Sequence, residues 1–538
     1  MAVVGACSTA AGAYFWKIGW GLEHGLLFAD EIAVWVPKLR GFIPLTVDSF
    51  FFERLQYPPL FAYLAGLATA AAVAVGWVGD PRLDPSGALL VARSVGAAFA
   101  LLAVVVTGVC GRFAYSARTG IVALALMAVV PLLAVQVHYA NVYGLFLAMV
   151  ALVLLTASTL ARRGNPTSAL AAGAAAGLAV AANYSGLAFL AAPAWAALEC
   201  ARRARSVGLF LRLAAMVGLG FLLSLLVSCP PWFVEPEVLL QEIETILGRT
   251  RMGFGLSRLT TDIGWYGRPY LYQLVASFPY TLGLPLYCLV VAGVVASLRR
   301  FERADRVVLA ALVPYFIVIG YSGTAFPRYL LPLVPGLVLL AARFLDGLER
   351  PRWRAVLLAL TLAYGALFTF TQVARFSYEQ HYELATWMAD RVKTTSSHPQ
   401  PVLVLASRVR LRYSNLVRPM RAAGLAPVSV VRRPGSMETE FVVLPHLSTL
   451  RKPTMPHEFV IARFVEQLES GAGPYREVAR WESTYFQRDF YRWLDPSFGG
   501  MMGETGFTVY QRDTLPKADQ ERGLGTLPRP RRPSVPIS

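Results

Sequence analysis

The sequence predicts an all-α polytopic membrane protein with about eleven transmembrane helices and a small C-terminal α/β domain. Of the 538 residues, 56% are hydrophobic and only 15% are charged, whereas soluble domains are about 25% charged. The apolar residues fall in blocks close to the roughly 20 residues that a helix needs to cross a bilayer. Because lipid offers the backbone no hydrogen-bond partners, we expect these blocks to be helical.

The apolar blocks alternate with clusters of arginine and with loops poor in basic residues. The blocks are 2–20, 58–79, 88–110, 119–135, 143–161, 168–182, 186–200, 207–228, 270–298, 307–324, 328–345 and 354–373. The positive-inside rule places the arginine clusters in the cytoplasm. Loops 21–57 and 229–269 are then extracytoplasmic and the N-terminus is cytoplasmic. The number of crossings agrees with these locations only if one block does not cross. We assign that role to the Ala/Gly-rich block 58–79, which would lie along the outer interface or dip into the membrane and return.

The net charge of +17 is carried mostly by arginine. Basic loops and anionic lipid headgroups account for such a charge in a membrane protein. The sequence contains no nucleic-acid-binding motif, so nucleic acid is not predicted as a partner. The five cysteines are scattered without a CxxC, and the six histidines show no metal-ligand spacing. Neither a disulfide framework nor a metal site built on these residues is predicted.

The composition changes after residue 374, where the transmembrane domain (1–374) is predicted to end. Short β-rich runs occur at 402–407, 428–433, 441–445 and 508–512, and helical patterns at 378–393 and 457–469. This alternation predicts an α/β domain over 375–513. The crossing count places that domain outside the membrane. Residues 514–538 are rich in proline and arginine, which predicts a disordered tail.

Two adjacent acids, Asp30 and Glu31, occur in the first predicted outer loop. Ionisable side chains so close to the membrane are costly and are functional candidates for that reason. The alternative is an interfacial acid that headgroups solvate, or one that pairs with Lys38 or Arg40. Position alone leaves both interpretations open.

An ordered set of motifs extends over most of the chain, to about residue 395. The motifs are Asp30-Glu31, Tyr57-Pro58-Pro59-Leu60, Arg93 within ARSVGA, His138-Tyr139-Ala140-Asn141, AANYSG at 181–186, CPPW at 229–232, FPRYLLPLVPG at 326–336 and Ala-Thr-Trp at 385–387. Their order resembles the GT-C membrane glycosyltransferases. Within these it resembles the group of protein O-mannosyltransferases and aminoarabinose transferases (glycosyltransferase family 39 and its relatives).

This resemblance implies inverting transfer of a sugar from a polyprenyl-phosphate donor to an extracytoplasmic protein, lipid or polysaccharide. Asp30 would be the general base, because a base must reach the acceptor proton and stay ionised. Glu31 would support Asp30 or orient the acceptor. Arg93 and Arg328 would hold the departing phosphate, on which negative charge grows. The other donor-site candidates are Tyr329, Tyr57, His138, Asn141, Asn183, Arg258 and Arg268. The last two lie in loop 229–269, which would close over the donor as a lid.

Three positions depart from the pattern of that group. Tyr143 stands where some members carry an acid, Asn183 where many carry lysine, and Gln56-Tyr57 where the aminoarabinose branch carries Glu-Lys. Each departure removes a charge that would bind phosphate or a metal. The sequence therefore predicts no certain cofactor, leaves a divalent metal open, and does not favour transfer of a cationic sugar to lipid A.

Two other classes of function are compatible with a membrane chain. A transporter or flippase for a lipid-linked sugar predicts charges in the middle of the spans or inverted repeats, and the sequence shows neither. A non-catalytic scaffold for envelope assembly predicts that Asp30 is dispensable. The preference for arginine over lysine fits a GC-rich bacterial genome and hence an inner-membrane location.

Overall fold

The computed structural model describes most of the predicted transmembrane region and parts of the C-terminal region. The described residues are 2–22, 31–51, 57–237, 239–241, 243–244, 269–321, 326–374, 376, 380–395, 402–405, 420, 428–431, 440–445, 456–481, 490 and 507–512. Asp30, Arg258, Arg268 and the predicted tail lie outside these ranges. The chain divides into two compact units: the first comprises Met1–His381 and Ser483–Glu504, and the second comprises Tyr382–Glu482 and Thr505–Ser538.

The described part of the first unit consists of helices joined by turns and irregular segments. Its α-helices are α1 (Ala2–Phe15), α2 (Val36–Arg40), α3 (Leu60–Ala74), α4 (Ser86–Ala114), α5 (Ala117–Ala128), α6 (Pro131–Gln136), α7 (Tyr143–Arg163), α8 (Pro166–Ala182), α9 (Ala191–Ala204), α10 (Val207–Ser228), α11 (Pro231–Val234), α12 (Pro269–Tyr272), α13 (Phe278–Leu282), α14 (Leu284–Arg300), α15 (Arg303–Tyr321), α16 (Val334–Asp346) and α17 (Pro351–Ala374). Shorter π-helical or 3₁₀ turns cover Glu31–Trp35, Val47–Phe50, Tyr184–Leu190, Gln273–Ser277 and Pro327–Leu333.

Five helices in the described ranges are long and apolar enough to cross a membrane. They are Ser86–Ala114, Tyr143–Arg163, Val207–Ser228, Pro327–Asp346 and Pro351–Ala374. Their length and composition indicate a multi-pass membrane protein. The count of eleven crossings and the orientation stay predictions. Helix α3 has 15 residues, and the assignment of block 58–79 to the interface stays a prediction.

Two predicted blocks are interrupted. In block 119–135, α5 ends before Pro131 and α6 begins at that residue, because a proline disfavours the helical backbone in the residue before it. In block 270–298, Gly283 has a φ of 77°, a conformation that glycine adopts at little cost. The first break leaves α6 as a short helix that leads directly into the turn 137–142.

Helices α4 and α7 touch backbone to backbone. A Cβ atom at Gly144 would lie 2.1 Å from the carbonyl oxygen of Gly96. Such close approach is typical of small residues at helix interfaces in membranes. The contact brings α4, which carries Arg93, against the beginning of α7 and the turn that precedes it.

Helices α8 and α10 make a similar contact, and it supports a stability prediction. A Cβ atom at Gly220 would lie 2.1 Å from the carbonyl oxygen of Leu170, whereas a Cβ atom at Gly218 would meet nothing within 4 Å. We expect Gly220→Leu to cost at least about 1–3 kcal/mol, because the added side chain must force the helices apart. Thermal unfolding of the detergent-solubilised protein measures this, with Gly218→Leu on the same helix as the control. Equal midpoints for the two variants would contradict the packing.

The second unit contains a five-stranded sheet in the order β2-β1-β3-β5-β4. The strands are β1 (Val402–Leu405), β2 (Val428–Val431), β3 (Phe441–Pro445), β4 (Tyr475–Trp481) and β5 (Phe507–Arg512). Strand β1 pairs in parallel with β2 and β3, and β5 pairs antiparallel with β3 and β4.

Helices α18 (Gln380–Thr395) and α19 (Pro456–Ser470) supply apolar side chains to the two faces of this sheet. Phe441 and Val443 of β3 join a cluster with residues of α18. Val442 and Leu444 join a second cluster with residues of α19. Alternate residues of a strand point to opposite faces, so the two clusters lie on opposite sides of β3. The prediction of a small C-terminal α/β region is confirmed in this coarse form.

Candidate functional site

Glu31 and Arg93 form a buried ion pair. The Arg93 Nε donates to Glu31 Oε1 at 2.8 Å and the Nη2 donates to Oε2 at 2.9 Å. Both side chains are 0% exposed. Parallel N–H···O bonds of this kind are among the strongest that side chains make. Arg40, which the sequence suggested as a partner of the acids, instead donates from Nε to the carbonyl oxygen of Pro81 at 2.9 Å.

The ion pair fastens the chain on both sides of Asp30. The Arg93 Nη1 donates to the carbonyl oxygens of Ile18 at 3.0 Å and Trp20 at 2.8 Å, upstream of the acid. Glu31 follows Asp30 directly, and its Oε1 accepts the backbone N–H of Ala140 at 2.7 Å. Because the Arg93 guanidinium is buried and engaged, it could reach a phosphate only if the pair opened. The geometry favours positioning of the acidic loop over phosphate binding for Arg93.

His138 joins the same turn to the segment that follows α1. Its Nδ1 lies 2.7 Å from the carbonyl oxygen of Ala134, and its Nε2 lies 2.7 Å from that of Trp16. The ring stacks on Phe376 with centroids 4.2 Å apart. A neutral imidazole has one N–H, so both bonds form together only when the ring is protonated. These contacts give His138 a role in holding the turn in place.

A cavity lies between the first predicted outer loop, the turn 137–142 and the turn Pro327–Leu333. This small cavity is lined by Trp35, Tyr57, Gln136, Asn141, Val142, Tyr143 and Arg328. It brings together three residues that the sequence motifs predicted as donor-site residues: Tyr57, Asn141 and Arg328. Trp35 belongs to the same π-helical turn as Glu31, so the cavity adjoins the buried ion pair.

One wall of the cavity is aromatic. The rings of Trp35 and Tyr57 are stacked, with centroids 5.8 Å apart and an interplanar angle of 24°. The edge of Phe61 supports the Trp35 ring at 4.9 Å, and Lys38 Nζ lies 5.5 Å from the Trp35 ring centroid. Trp35 is 1% exposed, so its position is fixed by packing on several sides.

Asn141 shapes the opposite wall. Its Nδ2 donates to the carbonyl oxygen of Gln136 at 2.6 Å, and its Oδ1 accepts the backbone N–H of Tyr143 at 2.9 Å. These two bonds close the turn between α6 and α7 in the way that Asx turns do. The Asn141 amide therefore holds the wall, while Gln136 and Tyr143 present their side chains there.

Arg328 supplies the positive charge of the cavity. It is half-buried, and its guanidinium carbon lies 4.4 Å from the ring centroid of Phe326 and 5.7 Å from that of Tyr329. Cation–π contacts at these distances restrain the side chain. Tyr329, predicted as a donor-site residue, packs beneath Arg328 and accepts the Tyr315 hydroxyl at its backbone carbonyl at 3.0 Å.

Asn183 has a different environment from the other predicted donor-site residues. Its Oδ1 accepts hydrogen bonds from the backbone N–H of Ser185 at 3.1 Å and from the Ser185 hydroxyl at 2.8 Å. It thereby caps the turn Tyr184–Leu190 and does not belong to the cavity lining. These hydrogen bonds indicate that Asn183 stabilises the turn.

The sequence motifs include neither Trp35 nor Gln136, and Tyr143 enters them only as a departure. Signals for the first two were present. Gln136 is the one polar residue of α6 and directly precedes the segment of His138, and Trp35 follows Asp30 by five residues. Within the described ranges, no group of three or more His, Cys, Asp or Glu is placed to hold a metal.

No protein-family model and no curated protein matches the sequence. Among solved structures, the chain is similar to ArnT from Cupriavidus metallidurans bound to undecaprenyl phosphate. The identity is 15%, the alignment covers 94% of this chain and 97% of that chain, and the TM-score is 0.50. The fold is GT-C-like. The archaeal oligosaccharyltransferase AglB from Archaeoglobus fulgidus, in complex with an inhibitory peptide and a dolichol-phosphate, matches with 12% identity over 95% of this chain and 88% of that chain, at a TM-score of 0.46.

Proposed function

We propose that the protein is an inverting glycosyltransferase that moves a sugar from a polyprenyl-phosphate donor to an acceptor outside the bacterial inner membrane. The observation that carries this proposal is the cavity, where Arg328 faces an aromatic and amide wall next to the buried Glu31–Arg93 pair. The GT-C-like fold supports it. So does the undecaprenyl phosphate bound to ArnT, because a lipid phosphate is the product that such a donor leaves behind.

In the proposed reaction, Asp30 and Arg328 act on the substrates directly, and Glu31 does not. Asp30 takes the proton of the acceptor hydroxyl as its oxygen attacks the anomeric carbon. The bond between that carbon and the phosphate oxygen breaks on the opposite side, and its electron pair stays on the phosphate. Arg328 stabilises the charge that develops there. Glu31 does not move a proton, because its oxygens accept hydrogen bonds from Arg93 and from the Ala140 backbone.

The orientation belongs to the same proposal. The N-terminus lies in the cytoplasm, and the cavity opens toward the outer leaflet. Arg162 and Arg163 at the end of α7, and Arg299 and Arg300 at the end of α14, mark the cytoplasmic side by the positive-inside rule. The C-terminal α/β unit is then extracytoplasmic, on the side where the acceptor is found.

Reconstitution separates this function from the two alternatives. The protein is placed in liposomes with a polyprenyl-phosphate sugar labelled in the sugar, and an envelope fraction serves as the acceptor pool. We expect the label to enter the acceptor and free polyprenyl phosphate to be released. Movement of the intact labelled lipid to the other leaflet would instead indicate a flippase. The absence of both transfer and movement with every donor tested would contradict an enzymatic role.

A further inference from the structure

We propose that three neutral side chains of the cavity, those of Trp35, Gln136 and Tyr143, donate hydrogen bonds to the phosphate of the lipid donor. This inference rests on the proposed function and deepens it, because it assigns further contacts to the group that leaves with the lipid. Neutral donors supply short-range hydrogen bonds in addition to the charge of Arg328.

Each of these three side chains carries a hydrogen-bond donor without a partner. The indole Nε1 of Trp35 is buried and makes no hydrogen bond to any described residue. Gln136 and Tyr143 bond to Asn141 through their backbone carbonyl and N–H, and within the described ranges neither side chain makes a hydrogen bond. Trp35 is 1% exposed, and Gln136 and Tyr143 are each 5% exposed, so bulk water reaches little of them.

The three donors come from different segments and meet at one cavity. They belong to the end of the π-helical turn Glu31–Trp35, to the end of α6 and to the beginning of α7. A buried donor that stays unpaired costs free energy, and the great majority of buried polar groups in proteins are paired. Packing alone does not require three such donors around one space, whereas a ligand with several acceptor oxygens would pair them together.

A phosphate group matches this set of donors. An indole N–H can only donate, so the ligand atom that pairs with Trp35 must be an acceptor. Ionised phosphate oxygens accept several hydrogen bonds at once, and such charge-assisted bonds are stronger than those between neutral groups. The proposed function places the phosphate at Arg328, which lines the same cavity and interacts electrostatically with the Tyr143 hydroxyl.

The backbone around these donors is fixed before any ligand binds. Asn141 bonds the carbonyl oxygen of Gln136 and the N–H of Tyr143, so it sets the spacing between these two residues. The ring of Trp35 is stacked on that of Tyr57. Donors that are already in position stabilise negative charge as it develops, with little reorganisation. We therefore expect the three side chains to act on the phosphate while its bond to the anomeric carbon breaks.

Tyr143→Phe tests the hydroxyl donor directly. We expect it to weaken the binding of bare undecaprenyl phosphate to the purified full-length protein in nanodiscs by at least about tenfold. The ligand-free protein should unfold at the same temperature or higher, because an unpaired buried hydroxyl has been removed. The control is Tyr14→Phe, which also removes a buried hydroxyl without a partner among the described residues but lies outside the cavity lining. Equal affinities of the two variants for the lipid phosphate would overturn the inference.

Substitutions of Gln136 show whether its amide donates. Gln136→Leu removes the amide and should weaken binding of undecaprenyl phosphate about tenfold. Gln136→Glu places a carboxylate of almost the same size at the phosphate, so repulsion should weaken binding further. Retention of the wild-type affinity by Gln136→Glu would contradict a donating amide. Undecaprenol, which lacks the phosphate, should bind all variants and the wild type alike, and a matching loss for undecaprenol would overturn the inference in favour of a general packing role.

The same probes separate failure of this inference from failure of the proposed function. Wild-type protein that binds undecaprenyl phosphate no more tightly than Tyr143→Phe and Gln136→Leu do would contradict only the assignment of these donors. Wild-type protein that binds neither undecaprenyl phosphate nor a sugar-linked form of it would contradict the proposed function. Inorganic phosphate that displaces undecaprenyl phosphate at equal concentration would indicate a site for free phosphate and would overturn the assignment to the lipid.

Discussion

Asp30→Asn is expected to lower the turnover number for sugar transfer by at least about 100-fold, within the range of about 10²–10⁴ that general acid–base catalysis contributes. Asparagine has nearly the same size as aspartate but cannot take the acceptor proton at neutral pH. Binding of the polyprenyl-phosphate donor should change little, because Arg328 and the cavity walls supply those contacts. Initial rates of label transfer at saturating donor measure the effect.

The same loop provides the control for this prediction. Asp48 is an exposed acid of the turn Val47–Phe50, so Asp48→Asn makes the same chemical change away from the cavity lining. We expect it to retain the wild-type rate. If Asp30→Asn kept more than half of the activity, or if both variants lost it equally, Asp30 would not be the base.

Breaking the Glu31–Arg93 pair is expected to destabilise the protein more than any surface substitution. Removing one partner of a buried ion pair costs about 3–5 kcal/mol, because the other charge stays buried without compensation. Both Glu31→Ala and Arg93→Ala should therefore lower the thermal unfolding midpoint strongly in detergent or nanodiscs. The control is Arg82→Ala, which removes the exposed pair with Asp80 at 2.6 Å and should leave the midpoint unchanged. Midpoints near the wild-type value for Glu31→Ala would contradict the buried pair.

A double substitution distinguishes positioning from phosphate binding by Arg93. Glu31→Leu combined with Arg93→Met replaces both charges by apolar groups of similar size, so we expect part of the stability lost in either single variant to return. Transfer should stay slow, because Asp30 is no longer fastened on both sides. The loss should appear in the turnover number with a small change in the Michaelis constant for the donor. A large rise in that constant alone would indicate that Arg93 binds the phosphate.

Hydropathy and motif order predict a substantial part of this structure. The apolar blocks predict membrane-crossing helices because composition and length decide that outcome almost alone. Tyr57, Asn141 and Arg328 belong to motifs far apart in the chain, and they line one cavity. Local sequence marks such residues because each lies at the end of an apolar block, where polar side chains are otherwise rare.

The pairing of Arg93 with Glu31 could not be predicted in the same way. In the sequence, an arginine at the end of a span cannot be distinguished as one that faces a ligand or one that faces a buried acid. The difference depends on where the turn Glu31–Trp35 lies relative to α4, which is a tertiary contact between residues 62 positions apart. The role of Asn141 in closing its turn and of Asn183 in capping another also depend on backbone geometry that the residue types permit but do not specify.

A structure of the protein with polyprenyl phosphate bound tests the proposed function most directly. We expect the phosphate oxygens to lie within hydrogen-bonding distance of the Arg328 guanidinium, inside the cavity bounded by Trp35 and Gln136. We also expect the Arg93–Glu31 pair to remain closed. A phosphate held by an opened Arg93, or bound at the opposite end of the helices, would contradict the proposal.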